Sequence, residues 1–228
     1  MPSDSRIILA LDSNEIERCA ELIQATLDSV AIYKLGLEFY LKQGAAGVVE
    51  LQRRNPGMRI FLDLKLHDIP NTVAGAARSI AGLSPEIVTV HASGGAEMVK
   101  AAIDALPETK VAAVTALTSL SENQTEILFQ KSPSELVLLL AAQALAGGAP
   151  ALVASPLEIE LLRKNFGSAL ILITPGIRDQ TSVADDQNRT LSAPAAIAAG
   201  ADFLVIGRPI TAAPDPAVAA ANFYNATR

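Results

Sequence analysis

The sequence predicts a (β/α)8 barrel, an α/β TIM-barrel architecture, formed by one domain over residues 1–228. Three observations carry that expectation. Eight short apolar, β-rich runs alternate with segments of helical period, as in a parallel sheet covered on both faces. Charged and hydroxyl residues collect at the C-terminal ends of those runs, the face on which such barrels carry their chemistry. The first run ends Leu11-Asp12-Ser13-Asn14, without the G-x-G-x-x-G turn that a doubly wound open sheet places there.

Taken in order, the expected strands are 6–12, 31–36, 59–66, 87–92, 110–117, 151–155, 169–174 and 202–207. Asp12 ends the first, Lys34 lies near the end of the second, and Asp63 and Lys65 end the third. His91 ends the fourth, Thr115 and Thr118 mark the end of the fifth, and Ser155 ends the sixth. Helical spacing is expected over 14–29, 38–54, 72–81, 95–106 and 134–146, with Leu136, Leu139, Leu140 and Gln143 showing the i, i+3, i+4 pattern. Ser13 and Ser134 are candidate N-caps, and Gly147-Gly148 a helix stop.

Composition narrows the function. Half of the 228 residues are hydrophobic, enough for a large core. Every apolar run is interrupted well before the roughly 20 residues of a membrane helix. The first run stops at Asp12, too short for a leader peptide, so a cytoplasmic protein is expected. Eighteen basic against 24 acidic residues give a net charge of −6, with no basic run and no tryptophan. A nucleic-acid partner is therefore not expected. An anionic small ligand remains compatible, because a few arginines can dominate one pocket. Cys19 is the single cysteine, which excludes an intrachain disulfide, and its helix-like setting beside Ile16, Ala20 and Ile23 points to packing.

The most informative stretch is Asp63-Leu64-Lys65-Leu66-His67-Asp68, charged residues set into a buried-strand pattern. Strand alternation puts Asp63 and Lys65 on one face, about 7 Å apart along the backbone. Asp68, close to Pro70, belongs to the loop leaving the strand. These groups either form a structural ion pair or act on a ligand, since burying them unpaired is costly. His67 reads as a loop or supporting residue, and His91 as either packing or site rim. Strands 7 and 8 add Thr174-Pro175-Gly176-Ile177-Arg178 and Ile206-Gly207-Arg208-Pro209-Ile210. Barrels often bind phosphate after these two strands; Gly207 permits close backbone approach, while Arg178 and Arg208 offer forked donors. The polar, aperiodic segment 179–189 is either a solvated loop or a lid closing over that site.

With these residues in place, the sequence resembles the orotidine 5′-phosphate decarboxylase family nearly end to end. The likeness rests on Leu9-Ala10-Leu11-Asp12, Tyr33-Lys34-Leu35-Gly36, the run Phe61 to Thr72, Val90-His91-Ala92, Leu117-Thr118-Ser119 and the two motifs after strands 7 and 8. The D-x-K-x-x-D spacing alone marks a wider superfamily; Lys34 and the Pro-Gly-Ile-Arg turn make it specific. The resemblance implies conversion of orotidine monophosphate to UMP and CO2 by a homodimer with shared sites, using no metal or organic cofactor. It implies that Lys65 protonates C6 of the pyrimidine and Asp63 lies by the substrate carboxylate. Asp68, Ile69 and Thr72 would reach the partner's site, and Asp12 and Lys34 would hold ribose hydroxyls. Thr118 would contact the base, and Gln187, Arg178, Gly207 and Arg208 the phosphate, with Pro175 also among the substrate-binding positions. Lys65, flanked by Asp63 and Asp68, is expected to stay protonated.

Two other readings share parts of the pattern. Mg²⁺-dependent sugar-phosphate decarboxylases and aldolases resemble the chain in the D-x-K-x-x-D strand, but carry an acidic metal ligand on strand 2 where Lys34 stands. A non-catalytic phosphate-ligand-binding barrel has no need of Lys and Asp buried side by side.

Overall fold

The computed structural model describes residue 2, residues 4–178 and residues 190–228. Eight strands close into a parallel barrel: β1 (Ile7–Ala10), β2 (Ile32–Gly36), β3 (Ile60–Leu66), β4 (Ile87–His91), β5 (Lys110–Val114), β6 (Ala151–Val153), β7 (Ile171–Thr174) and β10 (Phe203–Ile206). Around the barrel the order is β1-β10-β7-β6-β5-β4-β3-β2. Two further short strands, β8 (Ile177–Arg178) and β9 (Leu191–Ser192), pair parallel outside it.

Alternation along the strands explains why they read as nearly continuous apolar runs. Ile8, Ile32, Phe61, Ile87, Ala112, Ala151 and Ile173 form one cluster, that of the barrel interior. Their neighbours Ile7, Leu9, Tyr33, Leu35, Ile60, Leu62, Val88 and Val90 belong to a second, larger core beneath the helices. Both faces are buried, and each of the Ile, Leu, Val and Phe side chains contributes about 1.5–3 kcal/mol by leaving water.

Several sequence boundaries shift. Strand 1 ends at Ala10, strand 5 at Val114 and strand 6 at Val153, although Leu11 N still donates to Lys34 O at 3.0 Å and Thr115 N to Val153 O at 3.1 Å. The ladder thus fades over one or two residues as the chain turns out of the rim. The segment expected as one helix over 38–54 is Leu37–Arg54, broken at Gly44, whose φ of 62° leaves the helical region. Of the two expected caps, Ser134 lies inside its helix. Ser132 is the cap of Pro133–Ala146, in a capping box with Glu135 and with proline in the first turn. Ser13 makes a local turn instead, its Oγ accepting from Glu15 N at 3.2 Å, and the helix Ile16–Thr26 has no side-chain cap. Gly147 does end its helix, followed by Gly148 at a φ of 89°. The helix Glu122–Phe129 has no counterpart among the expected segments. It buries only Thr125 and exposes Ile127, Leu128 and Phe129, so it lacks a one-sided apolar period. Cys19 is fully buried, and burial above all, with the Asp12 charge, pushes its thiol up to about 12, as packing requires.

The rim at the N-terminal ends of the strands is tied by charge. Glu86, just before β4, accepts from Arg59 at 2.9 Å and from Lys110 at 2.8 Å, joining the starts of β3, β4 and β5. Arg163, on the helix Ile159–Phe166, donates to the carbonyls of Gly200, Leu170 and Gly167 and to Asp202, which itself accepts from Leu172 N at 2.7 Å. The Arg59 hydrogen bonds, aided by those from Lys110 and opposed by burial, hold the Glu86 carboxyl down at about 2, against an ordinary 4.5. A carboxyl depressed in the folded state contributes stability above its unfolded value and loses it as pH falls through the folded one. Denaturant unfolding measured across pH should therefore show stability decreasing from about pH 4.5 towards 2. Glu86→Gln should be less stable at neutral pH and show a shallower decline over the same window.

Candidate active site

Alternation also builds the site. Above the inward-facing Ile8, Ile32, Phe61 and Ile87, the next inward positions two residues on are Ala10, Lys34, Asp63 and Thr89. An apolar layer is thus followed by a polar one at the C-terminal mouth of the barrel. Asp12 stands just beyond β1.

The charges form a chain of alternating sign. Lys34 Nζ lies 3.2 Å from Asp12 Oδ1 and 3.5 Å from Asp63 Oδ2, and Lys65 Nζ lies 2.8 Å from Asp63 Oδ1. Lys34 and Asp63 are buried, Lys65 is partly covered and Asp12 is exposed. Burial alone would raise the Asp63 carboxyl. The Lys34 and Lys65 ammonium groups, with hydrogen bonds from Lys65 and Thr89, outweigh it and hold the group below its ordinary value. Gly36 keeps this pairing uncrowded, since a Cβ there would meet Lys34 Nζ at 3.3 Å.

The strand carrying Asp63 and Lys65 is not regular. Against β4, Leu62 pairs with Val88 and Leu66 with Val90, so β3 advances four residues while β4 advances two. Asp63, Leu64 and Lys65 occupy this bulge, and Lys65 takes a φ of 49°, a left-handed conformation that favours glycine. Strict alternation would separate the two side chains by one repeat; the bulge folds them into contact.

A cavity of about 260 Å³ opens over this array. Asp12, Lys34, Asp63, Lys65, Thr118, Pro175, Arg178, Gly207 and Arg208 all line it. Around the rim, β3, β2 and β1 bring the charge array, while β10 and the turn from β7 to β8 bring the arginines. β5 and β6 supply apolar Val114, Leu117, Val153 and Ala154, with Thr118 beside them. Gly176, at a φ of 80°, makes the turn that aims Arg178 at the mouth. A Cβ at Gly207 would sit 3.4 Å from Asp12 Oδ2, an ordinary contact, so space alone does not demand glycine there. No helix among the described residues is long and apolar enough to cross a membrane.

Three expected residues stand outside the cavity. Asp68 is exposed in the loop before the helix Pro70–Ala81, its Oδ1 accepting from Ile69 N at 2.7 Å. Ile69 is 66% exposed, and Thr72 is exposed in the first turn of that helix. Among the described residues of one chain, Asp63 is the carboxylate in contact with Lys65, and Asp68 lies beyond the strand. Gln187 and the whole segment 179–189 lie outside the described residues. Ser155 is a helix cap accepting from Leu157 N, and Thr115 donates to Val153 O, so both hydroxyls serve the backbone. His67 and His91 face one another with ring centroids 5.4 Å apart. They line a separate depression with Ser93, Leu117 and Phe129. Burial, with the nearby His67 and Lys65 charges, lowers the His91 imidazole despite Asp63.

One residue of the array escaped sequence reasoning. Thr89 is fully buried, donates to Asp63 Oδ1 at 2.9 Å and accepts from Lys65 N at 2.9 Å. Threonine is ordinary in a strand, and only its place on the Ile87/His91 face marks it.

A closed barrel with opposed lysines and aspartates at one side of its mouth and two arginines at the other defines a class: barrel enzymes acting on anionic ligands. The sequence model described as the orotidine 5′-phosphate decarboxylase / HUMPS family matches residues 5–223. The chain belongs to that family. It is 51% identical over 216 residues to the orotidine 5′-phosphate decarboxylase of Thermobifida fusca (strain YX), covering 94% of this chain and 92% of that protein. It is 44% identical over 224 residues to that of Paramagnetospirillum magneticum, covering 94% of each. The crystal structure of the Lactobacillus acidophilus orotidine 5′-phosphate decarboxylase superposes with a TM-score of 0.86 at 34% identity, covering 99% of this chain and 100% of that one.

Lys34 supports Asp63 from the side opposite Lys65, so Lys34→Met should raise the pH at which the Asp63 carboxyl takes up a proton. Carboxyl ¹³C NMR titration of the folded variant checks this.

Proposed function

We propose that this chain decarboxylates orotidine 5′-monophosphate to UMP and CO2, the last step of de novo pyrimidine nucleotide synthesis. The observation that carries this reading is Lys65 Nζ held 2.8 Å from Asp63 Oδ1, in a cavity that also contains Arg178 and Arg208. A nucleotide with a carboxylate on its ring and a phosphate at its far end matches that separation of functions.

In the reaction, the bond from C6 to the carboxyl carbon breaks and its electron pair stays on C6. Lys65 stabilises the developing negative charge and gives C6 a proton, becoming neutral until water reprotonates it. Asp63 stands beside the substrate carboxylate and, itself held by Lys34, fixes the Lys65 ammonium. Asp12 and Lys34 hold the ribose hydroxyls, Thr118 and Pro175 border the base, and Arg178, Gly207 and Arg208 receive the phosphate. Gln187 is assigned to the phosphate by the family resemblance alone. The reaction so written draws on no metal or organic cofactor. Lys34 Nζ already stands between the Asp12 and Asp63 carboxylates, where a divalent cation would need to bind.

We read the working unit as a cytoplasmic homodimer of single-domain chains, with no nucleic-acid or membrane partner. Asp68, Ile69 and Thr72 are exposed and do not line their own cavity, which supports their serving a second copy's site.

Turnover of orotidine monophosphate with EDTA present, followed by loss of its absorbance, tests the reading; absence of turnover sinks it. Lys65→Ala should reduce turnover by at least about 10²-fold, as expected for loss of a general acid. Mixing it with inactive Asp68→Ala should restore part of the activity, because a mixed dimer holds one site with neither lesion. Failure to recover despite proven subunit exchange would count against the shared site. Arg208→Ala should lower kcat/KM for the nucleotide by roughly 10²-fold, since remote binding energy is expressed in the transition state. The same change should barely affect a nucleoside lacking phosphate; equal losses on the two substrates would assign Arg208 to the fold.

A further inference from the structure

We propose that Thr89 is a positioning residue whose single hydroxyl locks the Lys65 backbone and the Asp63 carboxylate into their reactive arrangement. The inference rests on the decarboxylation reading and extends it to a residue outside the charged array. The bulge in β3 removes Lys65 N from the regular β3–β4 ladder, and the Thr89 hydroxyl, 2.9 Å away, takes the place of a strand carbonyl. That hydroxyl is also 2.9 Å from Asp63 Oδ1.

The direction of both bonds is forced. A backbone N–H can only donate and an ionised carboxylate can only accept, so Thr89 must accept from Lys65 and send its one proton to Asp63. One oxygen thereby couples the left-handed Lys65 backbone, φ 49°, to the orientation of the carboxylate that holds the Lys65 ammonium. Asp63 Oδ1 takes two donors, Lys65 Nζ and Thr89 Oγ1, which leaves Oδ2 turned towards Lys34. Thr89 is fully buried, so no water stands ready to replace the hydroxyl. Among the described residues, the other charged or titratable groups facing Asp63 are Lys34 from β2, Lys65 from its own strand and His91 from β4, with Asp12 behind Lys34.

The test separates hydroxyl chemistry from packing. Thr89→Val keeps the shape and removes the hydroxyl; Thr89→Ser keeps the hydroxyl and removes a methyl group. A positioning role predicts that Thr89→Val lowers kcat about 10- to 10²-fold with KM changed less than about threefold, the pattern of an interaction realised in the transition state. It also predicts that the acid limb of kcat/KM moves to higher pH, and that Thr89→Ser stays within about threefold of the parent. A packing role predicts the reverse order, with Thr89→Ser the weaker variant; that order, or kcat for Thr89→Val within threefold of the parent, overturns the proposal. If Thr89→Val does not fold, Thr89→Ser is compared with Thr89→Ala, and equal activities overturn it. Hydrogen exchange at the Lys65 amide, faster in Thr89→Val than in Thr89→Ser, needs no substrate. It therefore judges the proposal even if the parent fails to turn over orotidine monophosphate, which would sink the activity reading alone.

Discussion

Asp63 stays charged while buried, and the site depends on that. A carboxylate removed from water at the mouth of an apolar barrel would ordinarily take up a proton. Two ammonium groups and a threonine hydroxyl prevent it here. In turn the carboxylate gives Lys34 and Lys65 the counter-charge that lets two cations stand on neighbouring strands without repelling each other apart. Removing any one member leaves the remaining charges mismatched in a poorly solvated place, so the array behaves as a unit. Asp12, more exposed, tapers it into solvent.

The barrel divides its tasks between its two ends. At the N-terminal ends of the strands, Glu86 pairs with Arg59 and Lys110, and Arg163 with Asp202 and three carbonyls, and none of these residues lines the cavity at the mouth. At the opposite end, ion pairs of 2.8 to 3.5 Å line an open cavity and can exchange partners with a ligand. The same types of side chain thus support the fold at one end and form a reactive surface at the other. What distinguishes them is whether a void lies alongside. This matches the general behaviour of such barrels, whose chemistry sits where the strands end.

Much of this was legible in the sequence. The order of the eight barrel strands, five of the helices, the barrel class and most of the polar residues lining the cavity follow from hydrophobic period, polar residues at strand ends and the motifs after strands 7 and 8, while Pro175 comes from the family resemblance. What differs from expectation is of three kinds. Ser132 is the cap where Ser134 is expected, although its spacing to Glu135 and its place before Pro133 already distinguish it. The helix Glu122–Phe129 carries no one-sided apolar stripe. The bulge at Asp63–Lys65 has no compositional mark, since no glycine announces it, and Thr89 looks like any strand threonine. Period reports on burial. It does not report where a chain departs from its own period, and the reactive pair sits at such a departure.

That departure sets stability and activity against each other at one position. Lys65 occupies a left-handed backbone conformation that glycine or asparagine adopts with less strain. Backbone strain therefore favours drift at residue 65, while the counter-charge that Lys65 gives the buried Asp63 carboxylate, together with selection for turnover, opposes it. In a lineage that no longer needed the reaction, this lysine should be among the earliest of the array to disappear, while the barrel beneath it persists. For the experimenter the same bias is useful: glycine or asparagine at position 65 offers an inert barrel relieved of backbone strain, a natural starting point for trapping the unreacted nucleotide in its cavity.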